Sequence, residues 1–199
     1  MKAFSLLILM AAALHSFSVA QTTTALPYQQ IPDYPDEYTA ANMVVRMIDG
    51  LGFRYYWATE GLRSEDLAFQ PNEEARTIEQ TTDHILGLTN VIINSVTNTP
   101  NVGGSKDKTV LTFEEKRAKT LDNLKRTSDI LRKSTTNDLE GFKLVFQRGD
   151  NSTEYPFWNQ INGPISDALW HTGQVVSLRR SSGNPFDSNV SLLQGKRKE

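Results

Sequence analysis

Asp167-Ala168-Leu169-Trp170-His171-Thr172-Gly173-Gln174 is the stretch that decides the architecture of this 199-residue chain. It holds no proline, and an upstream Pro156 and a downstream Gly183-Asn184-Pro185 bracket a helix over 156–181. Gly163-Pro164 should kink or divide that helix, because proline removes one intrahelical bond and clashes with the preceding turn. In the part after the kink, Asp167 and His171 are four residues apart and so share one face, about 5–6 Å from each other. That is the spacing with which one helix offers two ligands to a metal ion. A histidine on a facing helix would complete a three-ligand site with open positions. The same pair also arises by chance, and the aspartate then hydrogen-bonds or screens a surface histidine, so both readings stand at this point.

Working outward, three more segments carry helical periodicity. The first spans 39–62, with Met43, Met47, Leu51, Tyr55 and Leu62 as the expected buried stripe. Within it Gly50 and Gly52 lower helix propensity but permit close approach of a neighbour. After a connector at 63–72 with Pro71, a second helix is expected over 74–96, with Ile78, Thr81, Ile85, Leu88 and Ile92 inward and His84 at the edge of that face. Asp83 then points about 100° away from His84, toward solvent. A loop at 98–108 leads to a third helix over 112–133, opened by the capping box Thr112…Glu115 and facing inward through Leu121, Leu124, Ile130 and Leu131. Lys143 to Gln147 reads as a strand or hairpin arm, and Arg148-Gly149-Asp150-Asn151 as a turn. Its Arg-Gly-Asp triplet is read as coincidence. Trp57, Trp158 and Trp170 are expected in the core, with Trp170, next to His171, as an alternative wall of the pocket. Four amphipathic helices joined by ordinary loops make an all-α four-helix bundle the simplest architecture.

The N-terminus has the three-part layout of a signal peptide: Lys2, an apolar run from Phe4 to Leu14, and small residues at Ser18 and Ala20. The run is too short to span a bilayer, which needs about 20 apolar residues, so an uncleaved anchor is the weaker alternative. Residues 1–20 are therefore expected to leave as a signal peptide, taking His15 with them, and His84 and His171 are the histidines that remain. Residues 21–38, interrupted by Pro27, Pro32 and Pro35, read as an extended N-terminal arm, 39–187 as the bundle, and 188–199 as a flexible basic tail. The absence of cysteine excludes disulfides, thiolate nucleophiles and cysteine metal sites. An exported chain of this kind suits a bacterial periplasm or cell exterior. Without Lys2 the balance is 20 basic against 23 acidic residues, net −3, which gives no reason to expect nucleic acid. No later stretch has the length and apolarity of a membrane segment, and a homodimer is left open. Two N-x-S/T sequons, at Asn151 and Asn189, would matter only in a glycosylating host.

The quoted stretch, followed by Leu178-Arg179-Arg180 and Gly183-Asn184-Pro185, resembles the last-helix signature of DinB/YfiT-like proteins, H-x-x-x-H-x-G-Q, then an L-R pair and G-x-P. Tyr56-Trp57, Pro71 and the Thr77-Ile78-Glu79…His84-Ile85 block occur in that family's order, so the resemblance covers about 41–185. It implies a four-helix bundle of DinB/YfiT type that holds a divalent metal (zinc, nickel, iron or manganese) through three histidines. Of these ligands, one falls on His84 and one on His171, while the third position is Asp167. A carboxylate can ligate each of these metals, although it is shorter than histidine. Gly173 would let a neighbouring helix approach, and Gln174 would satisfy a polar group near the site.

Two functions follow. One is an exported divalent-metal-dependent hydrolase or transferase acting on a small molecule through His84, Asp167 and His171. Characterised relatives in the resembled family use a low-molecular-weight thiol, which suits the cytoplasm and not an exported protein. The other is a non-catalytic binding or stress-related module with a degenerate metal site. Protein recovered from the exported fraction is expected to begin at or near Gln21 by intact mass. An intact Met1 there would make the segment an anchor.

Overall fold

Threonine hydroxyls open three of the four long helices. The computed structural model describes residues 25–103 and 110–198. The expected signal peptide lies outside them. In α1 (Ala40–Thr59) the Thr39 hydroxyl accepts from the Asn42 amide at 3.1 Å. Before α3 (Ile78–Val96), Thr77 and Gln80 cap each other's amides, and before α4 (Phe113–Leu131), Thr112 and Glu115 do the same. The Thr77 box is why the second long helix starts four residues later than the expected Glu74. Between α1 and α3 the chain makes one turn of helix, α2 (Ser64–Leu67).

After α4 come a short α5 (Thr136–Gly141) and a hairpin of β2 (Lys143–Arg148) and β3 (Asn151–Pro156), joined at Gly149-Asp150. β1 (Asn101–Val102) adds to β2 in parallel, making a three-stranded sheet. Gly149 takes φ +57 at the first turn position, the backbone a tight hairpin requires there. The last helix is divided as Gly163-Pro164 demands: α6 (Trp158–Gln160), a π-turn at Ile161–Ile165, and α7 (Ser166–Ser181). At the break Gly163 leaves helical geometry (ψ −106°), and the Ser166 hydroxyl donates to the Ile161 carbonyl at 2.6 Å.

α1, α3, α4 and α7 form the bundle. Both α1 and α3 pack against α4 and α7, so the first two long helices lie diagonally across the core and the 60–77 connector crosses one end. The core is aliphatic, with Ile48, Leu51, Ile78, Ile85, Ile92, Leu121, Leu124, Leu131, Ile165 and Val175 buried around Tyr55. Buried Thr81, Thr82, Thr89, Ser95, Thr120, Thr127 and Thr172 return their hydroxyls to carbonyls three or four residues back, so they cost no unpaired donor. Burial pushes the Tyr55 phenol up to about 12. Among the described residues no helix is long and apolar enough to cross a membrane.

The expected α1 stripe is half right. Leu51 and Tyr55 are buried, but Met43 is 56% exposed and Met47 lies at the surface, and the inward series is Val44, Ile48, Leu51, Tyr55 and Ala58. A strict four-residue step advances 400°, so counting back from Leu51 to Met43 drifts about 80° off the core face. Trp57 is buried as expected, whereas Trp158 and Trp170 stand on the surface.

Residues 25–38 and 188–198, read from the sequence as part of an extended arm and of a flexible tail, both pack on the bundle. Tyr28 is buried over α1, its hydroxyl donating to Asp49 at 3.0 Å, and its ring lies where a Cβ on Gly52 would come within 2.4 Å. Asp49, fully buried, also accepts from Ser128 at 2.7 Å and pairs with Arg132. Burial, reinforced by Asp49, holds the Tyr28 phenol far above its ordinary range. Residues 188–198 carry a small hairpin, β4 (Val190–Ser191) and β5 (Lys196–Arg197), and the Ile31 amide donates to the Gly195 carbonyl at 2.8 Å. Ile31, Phe53, Trp57 and Val190 close a second apolar cluster beneath this contact. Apolar burial at both ends is what converts arm and tail into packed structure.

α7 is locked to α1 by a buried polar cluster. The Arg179 guanidinium donates to the Trp57 and Ala58 carbonyls at 3.1 and 3.0 Å, and to the Asn184 carbonyl at 2.8 Å. Asn184 in turn donates to Asp66 at 2.7 Å, as does Ser182, and Arg63 closes a two-point pair on the same carboxylate at 2.9 Å. Led by the Arg63 bonds, these donors hold the Asp66 carboxyl well below the usual carboxylate range. A depressed carboxyl contributes stability that is complete above its unfolded value of about 3.9 and is lost as pH falls below it. Asp66→Ala is expected to cost about 2–4 kcal/mol in urea unfolding at pH 7. The variant should also lose less stability than the parent between pH 5 and 3; an equal loss in both proteins would remove Asp66 from the acid transition.

Candidate metal centre

α7 presents two parallel stripes at helical spacing. Ala168, Thr172, Val175 and Arg179 face the core, and Asp167, His171, Gln174 and Leu178 form the adjoining row. α3 places His84 one residue before the core residue Ile85, at the edge of its buried face and against α7. The three residues singled out in the sequence therefore meet. His84 Nε2 lies 3.3 Å from Asp167 Oδ2, and His171 Nε2 lies 3.3 Å from Asp167 Oδ1. The imidazole rings stand edge to face with centroids 4.6 Å apart. One ligand atom from each residue can be chosen so that all lie within 4.8 Å of one another, and among the described residues no other acidic or histidine cluster has this character. The carboxylate reaches both histidines despite being shorter than the histidine whose place it takes.

Gln174 fixes the chemistry of His171. Its Oε1 lies 2.6 Å from His171 Nδ1, and an amide oxygen only accepts, so Nδ1 carries the proton. In a neutral imidazole this leaves the lone pair on Nε2, which points at an Asp167 oxygen. Two lone pairs at 3.3 Å repel unless a second proton or a cation lies between them. The separation is longer than the 2.7–2.9 Å typical of a charged hydrogen bond. It matches the edge of a tetrahedral site, where donors about 2.0–2.1 Å from zinc are about 3.3–3.4 Å apart. The donor set thus fits a divalent ion in composition, with one ligand atom from each residue within 4.8 Å of the others.

The site opens to the surface: 35% of the His84 side chain, 39% of Asp167 and 15% of His171 are exposed. Beside it is a cleft of ≈ 580 Å³ walled by Trp170, His171, Gln174 and Leu178 of α7, with Thr81 of α3 and Pro71 and Arg76 of the connector. Trp170, 72% exposed, is a wall of this cleft and not core. Gly173 approaches no helix, since nothing lies within 4 Å of where its Cβ would be. Asp83 faces away from the site, as its position beside His84 implies, and pairs with Lys116 at 2.8 Å. Arg76 was not legible as part of the site; only its place in the connector that crosses the bundle end brings it there.

No protein-family model matches the sequence, and no curated protein matches it. Solved structures do share the fold. The DinB-like protein YjoA of Bacillus subtilis aligns with a TM-score of 0.56 at 14% identity, covering 78% of this chain and 99% of that one. YfiT of the same organism, described as "a probable metal-dependent hydrolase with an unusual four-helix bundle topology", aligns with a TM-score of 0.53 at 14% identity, covering 76% and 94%. The resemblance read from the order of short motifs therefore holds for the fold: this chain is a four-helix bundle of DinB/YfiT type.

Proposed function

We propose that the chain is an exported divalent-metal-dependent enzyme, a hydrolase or group transferase for a small molecule, with the ion held by His84, Asp167 and His171. The observation that carries this reading is the cluster itself: His84 Nε2 and His171 Nε2 both face the Asp167 carboxylate at 3.3 Å, and Gln174 Oε1 holds the other ring nitrogen of His171. The description of YfiT, a protein of the same fold, as a probable metal-dependent hydrolase supports it. A divalent ion held by these three residues would supply Lewis acidity. The chain's own residues do the rest. Asp167 offsets part of the ion's charge, Gln174 holds the His171 tautomer and ring plane, and the adjoining cleft seats a substrate within reach of His171. Two imidazoles and a carboxylate suit zinc, nickel, iron or manganese.

A second reading keeps the geometry without the ion: a doubly protonated histidine on either side of Asp167 would satisfy both 3.3 Å contacts, in a non-catalytic binding module. The replacement of a family histidine by Asp167 favours it. Calorimetric titration with zinc and nickel separates the two. His171→Ala should abolish binding, Asp167→His should keep or raise affinity, and Gln174→Leu should weaken it about 10- to 100-fold. If none of these proteins, Asp167→His included, binds metal above background, and His171→Ala costs only about 1–3 kcal/mol of stability, the cluster is structural.

A further inference from the structure

The cleft beside His171 has a polarity of its own. Arg76 is the only carboxylate, lysine or arginine side chain on its wall, and among the described residues the guanidinium makes no hydrogen bond or ion pair. Its acidic neighbours Glu73 and Glu74 are exposed and likewise do not pair with it. Elsewhere the arginines at the ends of the bundle helices are engaged: Arg63 by Asp66, Arg117 by Glu60, Arg132 by Asp49 and Arg179 by backbone carbonyls. The same cleft is lined by flat and apolar surfaces, the Trp170 ring, Pro71 and Leu178. With the Gln174 oxygen taken by His171, the side-chain amide group that Gln174 has left is a donor. The wall thus offers a cation, a donor and an aromatic face, and no carboxylate.

We propose that this cleft is the substrate site of the neighbouring centre and selects a small organic carboxylate: the anionic group sits on Arg76, and an apolar or planar body packs on Trp170 and Leu178. Guanidinium binds carboxylate in a two-point, charge-assisted geometry, and a neutral analogue would leave it unmatched. The proposal rests on the metal-centre reading for its role in catalysis but not for binding, so the two can fail separately.

Benzoate, benzamide and benzylamine share a ring and differ in charge. Titrated calorimetrically into the full chain, with and without zinc, benzoate should bind at least about tenfold more tightly than the other two. Arg76→Gln should bring benzoate down to the level of benzamide, and Trp170→Ala should weaken all three ligands together. Circular dichroism melts of both variants should match the parent, as both residues are exposed. A benzoate preference that persists without zinc and disappears in Arg76→Gln upholds the site, even if metal titration removes the enzymatic reading. Equal affinities for the three ligands overturn it. So does a benzoate preference that requires zinc and survives Arg76→Gln, which would place the carboxylate on the ion.

Discussion

Arg179 has its guanidinium inside the protein, on the last carbonyls of α1 that no amide of that helix can reach. Those carbonyls carry the negative end of the helix, so a buried cation there is matched electrostatically as well as by hydrogen bonds. The same group binds Asn184 beyond the end of α7, and Asn184 binds Asp66 in the connector. One arginine thus fixes where α7 stops, how it is rotated against α1, and how the connector returns across the bundle end. Every side chain of the candidate centre on α7 inherits its position from that rotation. His171 is eight residues before Arg179 and Asp167 twelve, so they lie a little over two and three turns back, one row around the helix.

That arrangement divides labour along one helix. The row facing the core is small or apolar down to Arg179, and the adjoining row runs from Asp167 through His171 and Gln174 to Leu178. Asp167 of this row meets α3 at His84, and His171, Gln174 and Leu178 front the cleft. A rigid scaffold therefore holds ligands on two facing helices, while the surface that would touch a substrate is built partly from the connector. Connectors of this kind change without disturbing a core, which is how one bundle comes to serve different molecules.

What the sequence disclosed follows from how local each signal is. The capping box at Thr112, the break at Gly163-Pro164 and the turn at Gly149-Asp150 depend on neighbours in the chain, and all three are where they were expected. The meeting of His84, Asp167 and His171 was legible because two of them share a helix face and the third is the one other histidine beyond the N-terminal segment. The face of α1 was misread at Met43 and Met47 because a four-residue step and a 3.6-residue helix part company within two turns. Trp158 was misplaced since an aromatic ring alone does not announce burial, while Trp170 takes the alternative place that its neighbour His171 suggested, on the wall of the cleft. The packing of residues 25–38 and 188–198 was invisible for a different reason. Tyr28 is held by Asp49, and Ile31 by Gly195, and no periodicity within either end announces a partner so far along the chain.

That last pairing sets an order of events during synthesis. The segment around Tyr28 and Ile31 leaves the ribosome before any helix of the bundle, yet the backbone partner of Ile31, Gly195, is made only after the last helix. Until Gly195 arrives, Ile31, Phe53 and Trp57 lack the Val190 side chain that completes their cluster, and that apolar surface stays open. The four helices can condense earlier on their own contacts, whereas closing the two ends spans nearly the whole described chain and carries the largest loop entropy in the molecule. The segment around Tyr28 and Ile31 is thus made before the bundle and seated after it.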